Sequence, residues 1–371
     1  MADKTFNSGV TMAKAIAIIL MVLGHSGCPD AVNHFLGLMR MPLFFLMSGY
    51  CFKAKYLTDG GKYLRRRVTG VYVPCVKWGL IFLLLHNAFC YVGLYNAEYG
   101  ANPDTASPYS LGVMAHSCAT MLLTLVPNEE LIGGYWFLHD LFFGSLIFYF
   151  MLRLLRKTYV TIPLLLVLTM LMSYRGIELY YFIYPRTVFA SFFITVGYAY
   201  KEARLHLEQT WGYILSSILV IAIVSTQWHS NFLEFGCTDV IPFAIFAVMG
   251  SLMIFGVGER MSEMRESRLK SFFMYVGGKT FNVLTWHMLS FKLVSLAIIL
   301  IYSLPWNQIA GFPVIAEYAS RGWFPVYFVI GVIVPIAWSY WYDKVKNKVN
   351  SKKEKLKSMI TMYSERLSRK Y

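Results

Sequence analysis

Long apolar runs, separated by short polar stretches, recur along the chain from residue 12 to residue 342. A bilayer core about 30 Å thick requires ~20 apolar residues per helix. The runs are near this length and leave little sequence for a soluble core. The pattern therefore predicts an all-α integral membrane protein. We place about ten transmembrane helices at roughly 12–30, 33–52, 71–94, 135–152, 160–176, 186–201, 211–229, 238–256, 272–302 and 322–342.

The stretch 95–134 departs from this pattern. It begins with polar turn residues, continues with a shorter apolar piece at 111–126, and ends in the acidic pair Glu129-Glu130. We interpret the apolar piece as an external or partly embedded helix. A full span at this point would place every later loop on the opposite side of the membrane.

The basic residues give the predicted orientation. With ten spans and a cytoplasmic N-terminus, 28 of the 34 Lys and Arg residues fall in cytoplasmic segments. Cytoplasmic loops of membrane proteins collect these residues. An eleventh span at 111–126 would move the basic residues of 153–157 to the outside. Both termini are therefore predicted to be cytoplasmic, with a transmembrane domain over 1–343 and a basic tail over 344–371.

Composition supports the membrane interpretation and excludes other classes. The chain is 57% hydrophobic and 15% charged, whereas a soluble domain is about 25% charged. The net charge of +14 is spread over short loops and the tail rather than one folded face, so no nucleic-acid partner is predicted. The six cysteines are scattered without a CxxC pair, which predicts neither a disulfide framework nor a metal site.

Polar residues inside the apolar runs are functional candidates, because a charge at the bilayer centre costs about 2.5–3.5 kcal/mol. Lys14 and His25 lie 11 residues apart on the first helix, hence on one face and roughly 16 Å apart along its axis. Arg40 precedes Pro42, which breaks the backbone hydrogen bonds of the second run. A broken helix beside His25 predicts part of a site. Membrane anchoring and a packing kink are the alternatives.

Two further groups follow Pro42 in the sequence, one in the same apolar run and one before the next run. Ser48 and Gly49 form a small pair that permits another helix to approach closely. The cluster Arg65, Arg66 and Arg67 lies at the cytoplasmic start of the third helix, and arginine forks match phosphate oxygens. Ordinary charge at the cytoplasmic end of a helix explains the cluster equally well.

Later helices supply a second set of candidates. Trp136, His139 and Asp140 share one face near the outer end of the fourth helix. A carboxylate beside an imidazole orients it and raises its basicity, so Asp140 could serve His139 or His25. His287 lies in the middle of the ninth helix. Interfacial capping and structural hydrogen bonding are the alternatives for these residues.

Several of these residues belong to sequence blocks that occur in a known order. The blocks are Lys14 to Ser26, Arg40 to Phe45, Ser48 to Tyr50, Trp136 to Leu138, Gly197-Tyr198, and His287 after Gly277-Gly278-Lys279. With these blocks the chain resembles the membrane acyltransferase 3 family, which includes bacterial polysaccharide and antigen O-acetyltransferases.

The resemblance implies a ten-helix fold in the inner (plasma) membrane of a bacterium. It also implies that acyl-CoA from the cytoplasm is used to acetylate a sugar hydroxyl, usually on the outer side. The family's histidine corresponds to His25. Its basic cluster corresponds to the arginines at 65–67, and its basic residue eleven positions before the histidine, often Arg, is Lys14 here. No metal is implied.

These residues combine into one mechanistic hypothesis. The arginine cluster and Lys14 receive the phosphates of acetyl-CoA, and His25 takes the proton from a sugar hydroxyl as general base. Arg40 or His287 stabilises the developing oxyanion, and Asp140 orients an imidazole. Ser48, Trp136 and His139 are the candidate contacts to the acceptor, which is a surface glycan or a lipid-linked sugar within the lipid bilayer.

Two other functions remain open from the sequence. A glycan or lipid transporter, or flippase, would share the helix number and the buried charges, but it would not depend on acyl-CoA. A membrane partner subunit in glycan assembly would leave the combination of Lys14, His25 and Arg40 unexplained.

Overall fold

The chain is mainly helical in the computed structural model, which describes residues 7–178 and 183–368. Within these residues no β-sheet forms, so the predicted all-α class is confirmed. Short 3₁₀ and π turns join or interrupt the helices. The α-helices are α1 (Ser8–His25), α2 (Asp30–Gly37), α3 (Pro42–Tyr50), α4 (Gly60–Arg67), α5 (Val73–Tyr91), α6 (Leu111–Thr124), α7 (Trp136–Leu155), α8 (Thr158–Arg175), α9 (Pro185–Glu202), α10 (Trp211–Gln227), α11 (Val240–Glu263), α12 (Arg268–Gly278), α13 (Thr280–Tyr302), α14 (Ala316–Tyr318) and α15 (Phe324–Ser368).

Seven helical segments of the described chain are long and apolar enough to cross a membrane. They are Ser8–His25, Gly60–Tyr91, Glu130–Leu155, Thr158–Arg175, Cys237–Glu263, Thr280–Tyr302 and Ala316–Ser351. They coincide with seven of the predicted spans, which supports a multi-pass membrane protein. The predicted count of ten helices is not reached by this criterion.

The three remaining predicted spans have other forms. The run at 33–52 is divided between α2 and α3, which have eight and nine residues. α10 has 17 residues, somewhat short of a span. α9 has 18 residues, but it begins with Pro185-Arg186 and ends with Lys201-Glu202, and these polar ends lower its hydropathy.

The predicted break in the second run is confirmed. α2 ends at Gly37, and residues 38–41 form a turn that carries Arg40. Pro42 then occupies the first turn of α3, where its missing N–H costs no intrahelical hydrogen bond. The break therefore positions a cationic side chain on irregular backbone between two short helices.

Close contact between α3 and α9 depends on glycine. A Cβ atom at Gly197 would overlap the backbone carbonyl of Leu46, and a Cβ atom at Gly49 would overlap the carbonyl of Ile194. Both obstacles are backbone atoms, which cannot rotate away. The small pair predicted to permit close helix approach does so here, and it fixes the position of α3 beside the site described below.

Substitution of Gly197 by alanine is expected to destabilise the protein by about 1–3 kcal/mol, because the added methyl group forces two packed backbones apart. The measurement is the thermal unfolding midpoint of the purified protein in detergent. Gly278→Ala is the matched control, because a Cβ atom there meets nothing within 4 Å. Equal midpoints for the two variants would show that the crossing is not close-packed.

The segment between α5 and α7 packs on the end of α5. The ring nitrogen Nδ1 of buried His86 lies 3.1 Å from Glu129 Oε1, and its Nε2 donates to the Ser107 carbonyl at 3.0 Å. Tyr109 stacks on the same ring with centroids 3.5 Å apart, and burial raises the pKa of Tyr109 to about 12, so its phenol is neutral.

The helix α6 in this segment has 14 residues. It is shorter than a membrane span, in accord with the predicted external or partly embedded helix.

Candidate active site

Two histidines meet where α1 ends beside α13. The ring centroids of His25 and His287 are 5.5 Å apart, with the ring planes inclined by 36°. The Nδ1 atom of His287 lies 3.0 Å from both the Val283 and the Leu284 carbonyl oxygens. Carbonyl oxygens only accept hydrogen bonds, so Nδ1 carries the proton. The other ring nitrogen, Nε2, is therefore a hydrogen-bond acceptor.

This Nε2 atom of His287 is buried and has no hydrogen-bond partner among the residues that the structure describes. A buried acceptor without a partner is costly, and such groups are uncommon unless they have a role. Because its only protonated nitrogen is bound to backbone, neutral His287 cannot donate to an oxyanion. It can instead accept a hydrogen bond from the ring of His25 or from a bound molecule.

Arg40 lies against the end of α1 that carries His25. Its Nη1 atom donates to Asn33 Oδ1 at 2.9 Å, which fixes the guanidinium between α2 and α1. The guanidinium also lies directly against Gly24, where a Cβ atom would overlap it. Glycine immediately before His25 therefore allows a positive charge to approach the backbone next to the imidazole.

A first cavity, which we call the Lys14 cavity, has a volume of about 310 Å³. Lys14, Arg66, Arg67 and Ser48 line it, together with apolar residues of α1, α3, α7 and α13. Arg67 Nη2 donates to Ser48 Oγ at 2.6 Å. The lining residues that the structure describes include no carboxylate, so the cavity is cationic. Arg65 is exposed and is not among these lining residues.

A second cavity, which we call the Arg40 cavity, has a volume of about 460 Å³. Its lining is more polar and includes Arg40, Asn33 and Trp136. His34 and His229 also line it and face each other with ring centroids 4.0 Å apart. A tryptophan with several hydrogen-bonding side chains is a suitable surface for a polar ligand that has an apolar face.

Neither histidine of the pair is among the residues that line the two cavities, but residues near His25 line both of them. Met41 lines both cavities. Met21, which lines the Lys14 cavity, is about one helical turn before His25 on α1. Arg40, from the second cavity, contacts the residue directly before His25. Each cavity therefore has a lining residue close to His25, one on the same helix and one against Gly24.

His139 and Asp140 are brought together at a different place. Both are fully buried between α7 and α9, and their nearest charged atoms are 3.7 Å apart. Asp140 accepts hydrogen bonds from Arg186 Nε at 3.1 Å and from Thr187 Oγ1 at 2.6 Å. Both of these partners of Asp140 belong to α9, and neither contact connects it to His25. Its geometry therefore favours positioning of α9 over orientation of His25.

Loss of Arg186 is expected to destabilise the protein by about 3–5 kcal/mol, because Arg186→Ala leaves the Asp140 carboxylate buried without its ionic partner. Thermal unfolding in detergent measures this effect. Arg175→Ala is the matched control, since Arg175 is an exposed arginine stacked only on Tyr174 among the described contacts. An equal, small effect of both substitutions would show that the ion pair does not stabilise the helix contact.

Three contributors to the site were not predicted from the sequence. Asn33 positions Arg40, and His34 and His229 form the ring pair of the second cavity. His34 and Asn33 lie only six to seven residues before Arg40, so their position on the short helix α2 was a usable signal. His229 lies in a loop far along the chain, and only the fold brings it near.

One of three comparisons with known proteins identifies a family. A family model described as an acyltransferase domain, that of the acyltransferase 3 family, matches residues 7–342. Neither a curated protein nor a solved structure matches the chain. The matched range contains both cavities and the histidine pair, and it supports acyltransferase activity. The chain belongs to the acyltransferase 3 family.

Proposed function

We propose that the protein is a membrane O-acetyltransferase that moves an acetyl group from acetyl-CoA to a hydroxyl of a cell-surface or lipid-linked glycan. The observation that carries this proposal is that a cationic cavity is lined by Lys14 and Met21 of the helix that carries His25, while a polar cavity is lined by Arg40, which contacts the residue before His25. The first suits a donor with phosphates, and the second suits a sugar acceptor.

The donor side is argued from charge. Lys14, Arg66 and Arg67 surround one cavity without a compensating carboxylate among its described lining residues. Arginine and lysine side chains of this kind bind phosphate oxygens through charge-assisted hydrogen bonds. The apolar remainder of the lining suits the pantetheine arm of coenzyme A, which has to bring the thioester toward His25.

The acceptor side is argued from the Arg40 cavity. Sugars present apolar ring faces and polar edges, and Trp136 with Asn33 and His34 offers complementary surfaces. Bound there, a hydroxyl group would lie on the side of His25 that faces Arg40. A glycan with an anionic group would also be attracted by the guanidinium.

The proposed reaction is a direct acyl transfer. His25 accepts the proton of the glycan hydroxyl while the oxygen attacks the thioester carbonyl carbon. Arg40 stabilises the oxyanion that forms on the carbonyl oxygen. The carbon–sulfur bond then breaks, and the coenzyme A thiolate takes the proton from His25. His287 accepts a hydrogen bond from the other nitrogen of His25 and so orients the ring.

The membrane arrangement of this proposal follows the distribution of charge. In a ten-span arrangement 28 of the 34 Lys and Arg residues fall on one side, so both termini and the Lys14 cavity would face the cytoplasm of a bacterium. The Arg40 cavity would then face the outer side. A total of ten crossings requires that α9, α10 and the α2–α3 pair each cross the membrane in addition to the seven long spans.

The proposal is tested by the composition of surface glycans in the native host. Deletion of the gene should remove an O-acetyl signal, and the wild-type gene should restore it. Unchanged O-acetyl content after deletion contradicts the proposal. Loss of the glycan itself from the surface, with the acetyl content per sugar preserved, would instead favour a transporter.

A further inference from the structure

A third cavity lies beside the ends of α7 and α9 and the start of α8. This cavity, which we call the Arg153 cavity, has a volume of about 620 Å³. Arg153, Arg156 and Lys157 line it, together with Thr158 and one acidic residue, Glu202. Its lining therefore has an excess of two positive charges, and the functional scheme above leaves it unused.

These cations are available to a ligand. The three basic side chains have no carboxylate within ion-pair distance in the part of the chain that the structure describes. Arg153 donates to the Tyr149 hydroxyl at 2.9 Å, and Lys157 lies over the Tyr159 ring. The N-terminus of α8 starts at Thr158 without a side-chain cap. Free backbone N–H groups and the helix dipole there also favour an anion.

The Arg153 cavity is connected to the Lys14 cavity by a short chain of contacts. The rings of Tyr63 and Tyr149 stack with centroids 5.0 Å apart. On one side, Arg67 Nε donates to the Tyr63 hydroxyl at 3.1 Å. On the other side, Arg153 binds the Tyr149 hydroxyl. The pair Tyr63 and Tyr149 therefore separates Arg67 of the Lys14 cavity from Arg153 of the Arg153 cavity.

The lining residues of one small cleft lead from the Lys14 cavity toward the Arg153 cavity. A small cleft of about 100 Å³ shares Ser48, Arg66 and Arg67 with the Lys14 cavity and extends to Tyr56. The next residue, Leu57, already lines the Arg153 cavity. An extended molecule with separated phosphates could therefore occupy both cationic regions at once.

We propose that Arg153, Arg156 and Lys157 bind the 3′-phosphate on the ribose of the coenzyme A donor, while Arg66 and Arg67 bind its diphosphate. The proposal rests on the proposed function, because it assumes that the donor is a coenzyme A thioester. In coenzyme A a single ribose separates the two phosphate groups, which fits two cationic regions on either side of one tyrosine pair. The apolar side chains Leu57 and Leu152 and the ring of Tyr198 complete the lining and suit the adenine base.

The test compares acetyl-CoA with 3′-dephospho-acetyl-CoA, using the full-length protein in vesicles of phosphatidylcholine. For the wild type, the KM of the dephospho donor should be about tenfold higher, the effect of one lost charge-assisted phosphate contact. In the variant Arg153→Gln/Arg156→Gln, the KM of acetyl-CoA should rise to a similar value, while the dephospho donor and kcat change little.

A matched variant controls for the loss of two charges. Arg265→Gln/Arg268→Gln removes two exposed arginines, one in the loop before α12 and one at its first residue. Neither lines the Arg153 cavity, so this variant should leave both KM values unchanged. Equal KM values for the two donors with the wild type would overturn the proposal. So would an effect of Arg153→Gln/Arg156→Gln that appears only when phosphatidylglycerol is added, because the ligand would then be a lipid headgroup.

Direct binding separates this proposal from the proposed function. Titration calorimetry with coenzyme A and 3′-dephospho-coenzyme A needs no turnover. A preference for coenzyme A that is lost in Arg153→Gln/Arg156→Gln supports the phosphate site even if no acetyl group is transferred. Equal binding of both molecules overturns the phosphate site alone, whereas no binding of either molecule overturns the proposed donor and the site together.

Discussion

Replacement of His25 by alanine is expected to lower the rate of acetyl transfer by about 10²–10⁴-fold, the usual contribution of a positioned general base. The reason is its proposed role as the base that takes the proton of the glycan hydroxyl, close to residues that line the Lys14 cavity and the Arg40 cavity. The measurement is the initial rate with purified protein in vesicles.

His116→Ala is the matched control for His25→Ala. His116 is an exposed histidine on α6, away from both cavities, so its loss should leave the rate unchanged. The binding of acetyl-CoA to His25→Ala should also be unchanged, because the phosphate-binding cations are elsewhere. A His25→Ala variant that binds acetyl-CoA and transfers acetyl at the wild-type rate would remove His25 from the mechanism.

Replacement of Arg40 by glutamine is expected to lower kcat by about 10²–10³-fold, the effect of losing one preorganised oxyanion donor. Arg40 is held for this role by Asn33 and by the absence of a side chain at Gly24. Arg40→Lys retains the charge but loses the planar fork, so it should recover only part of the rate. The measurement is kcat and the KM of acetyl-CoA for each variant.

Arg321→Gln provides the control for Arg40→Gln. Arg321 is an exposed arginine that pairs with Glu317 one turn away, so its removal should leave kcat unchanged. A higher KM for the glycan at unchanged kcat in Arg40→Gln would show that Arg40 binds the acceptor and does not stabilise the oxyanion.

The sequence predicts much of this fold because its signals are local. The apolar runs predicted seven spans that have the required length, and Pro42 predicted the break before α3. Three of the ten predicted crossings do not meet the length and hydropathy criterion, because a helix break, a short helix or polar helix ends reduce their continuous apolar length. Hydropathy cannot distinguish a short helix packed inside the protein from one that crosses the bilayer.

The candidate site was predictable only in part for a related reason. Lys14 and His25 share a helix face, which spacing alone indicates. The ionic partner of Asp140 was not indicated, because Arg186 is 46 residues away along the chain. The meeting of His25 with His287 likewise depends on the packing of α1 against α13, which no local pattern contains.

The most direct test of the proposed mechanism follows the acetyl group itself. Protein in vesicles is supplied with acetyl-CoA carrying ¹³C in its acetyl group, and with glycan extracted from a strain that lacks the gene. We expect ¹³C-acetyl esters on the glycan with the wild type and none above background with His25→Ala. Equal labelling by the two proteins, or no labelling by a wild type that still moves the glycan across the membrane, would contradict acyl transfer at His25.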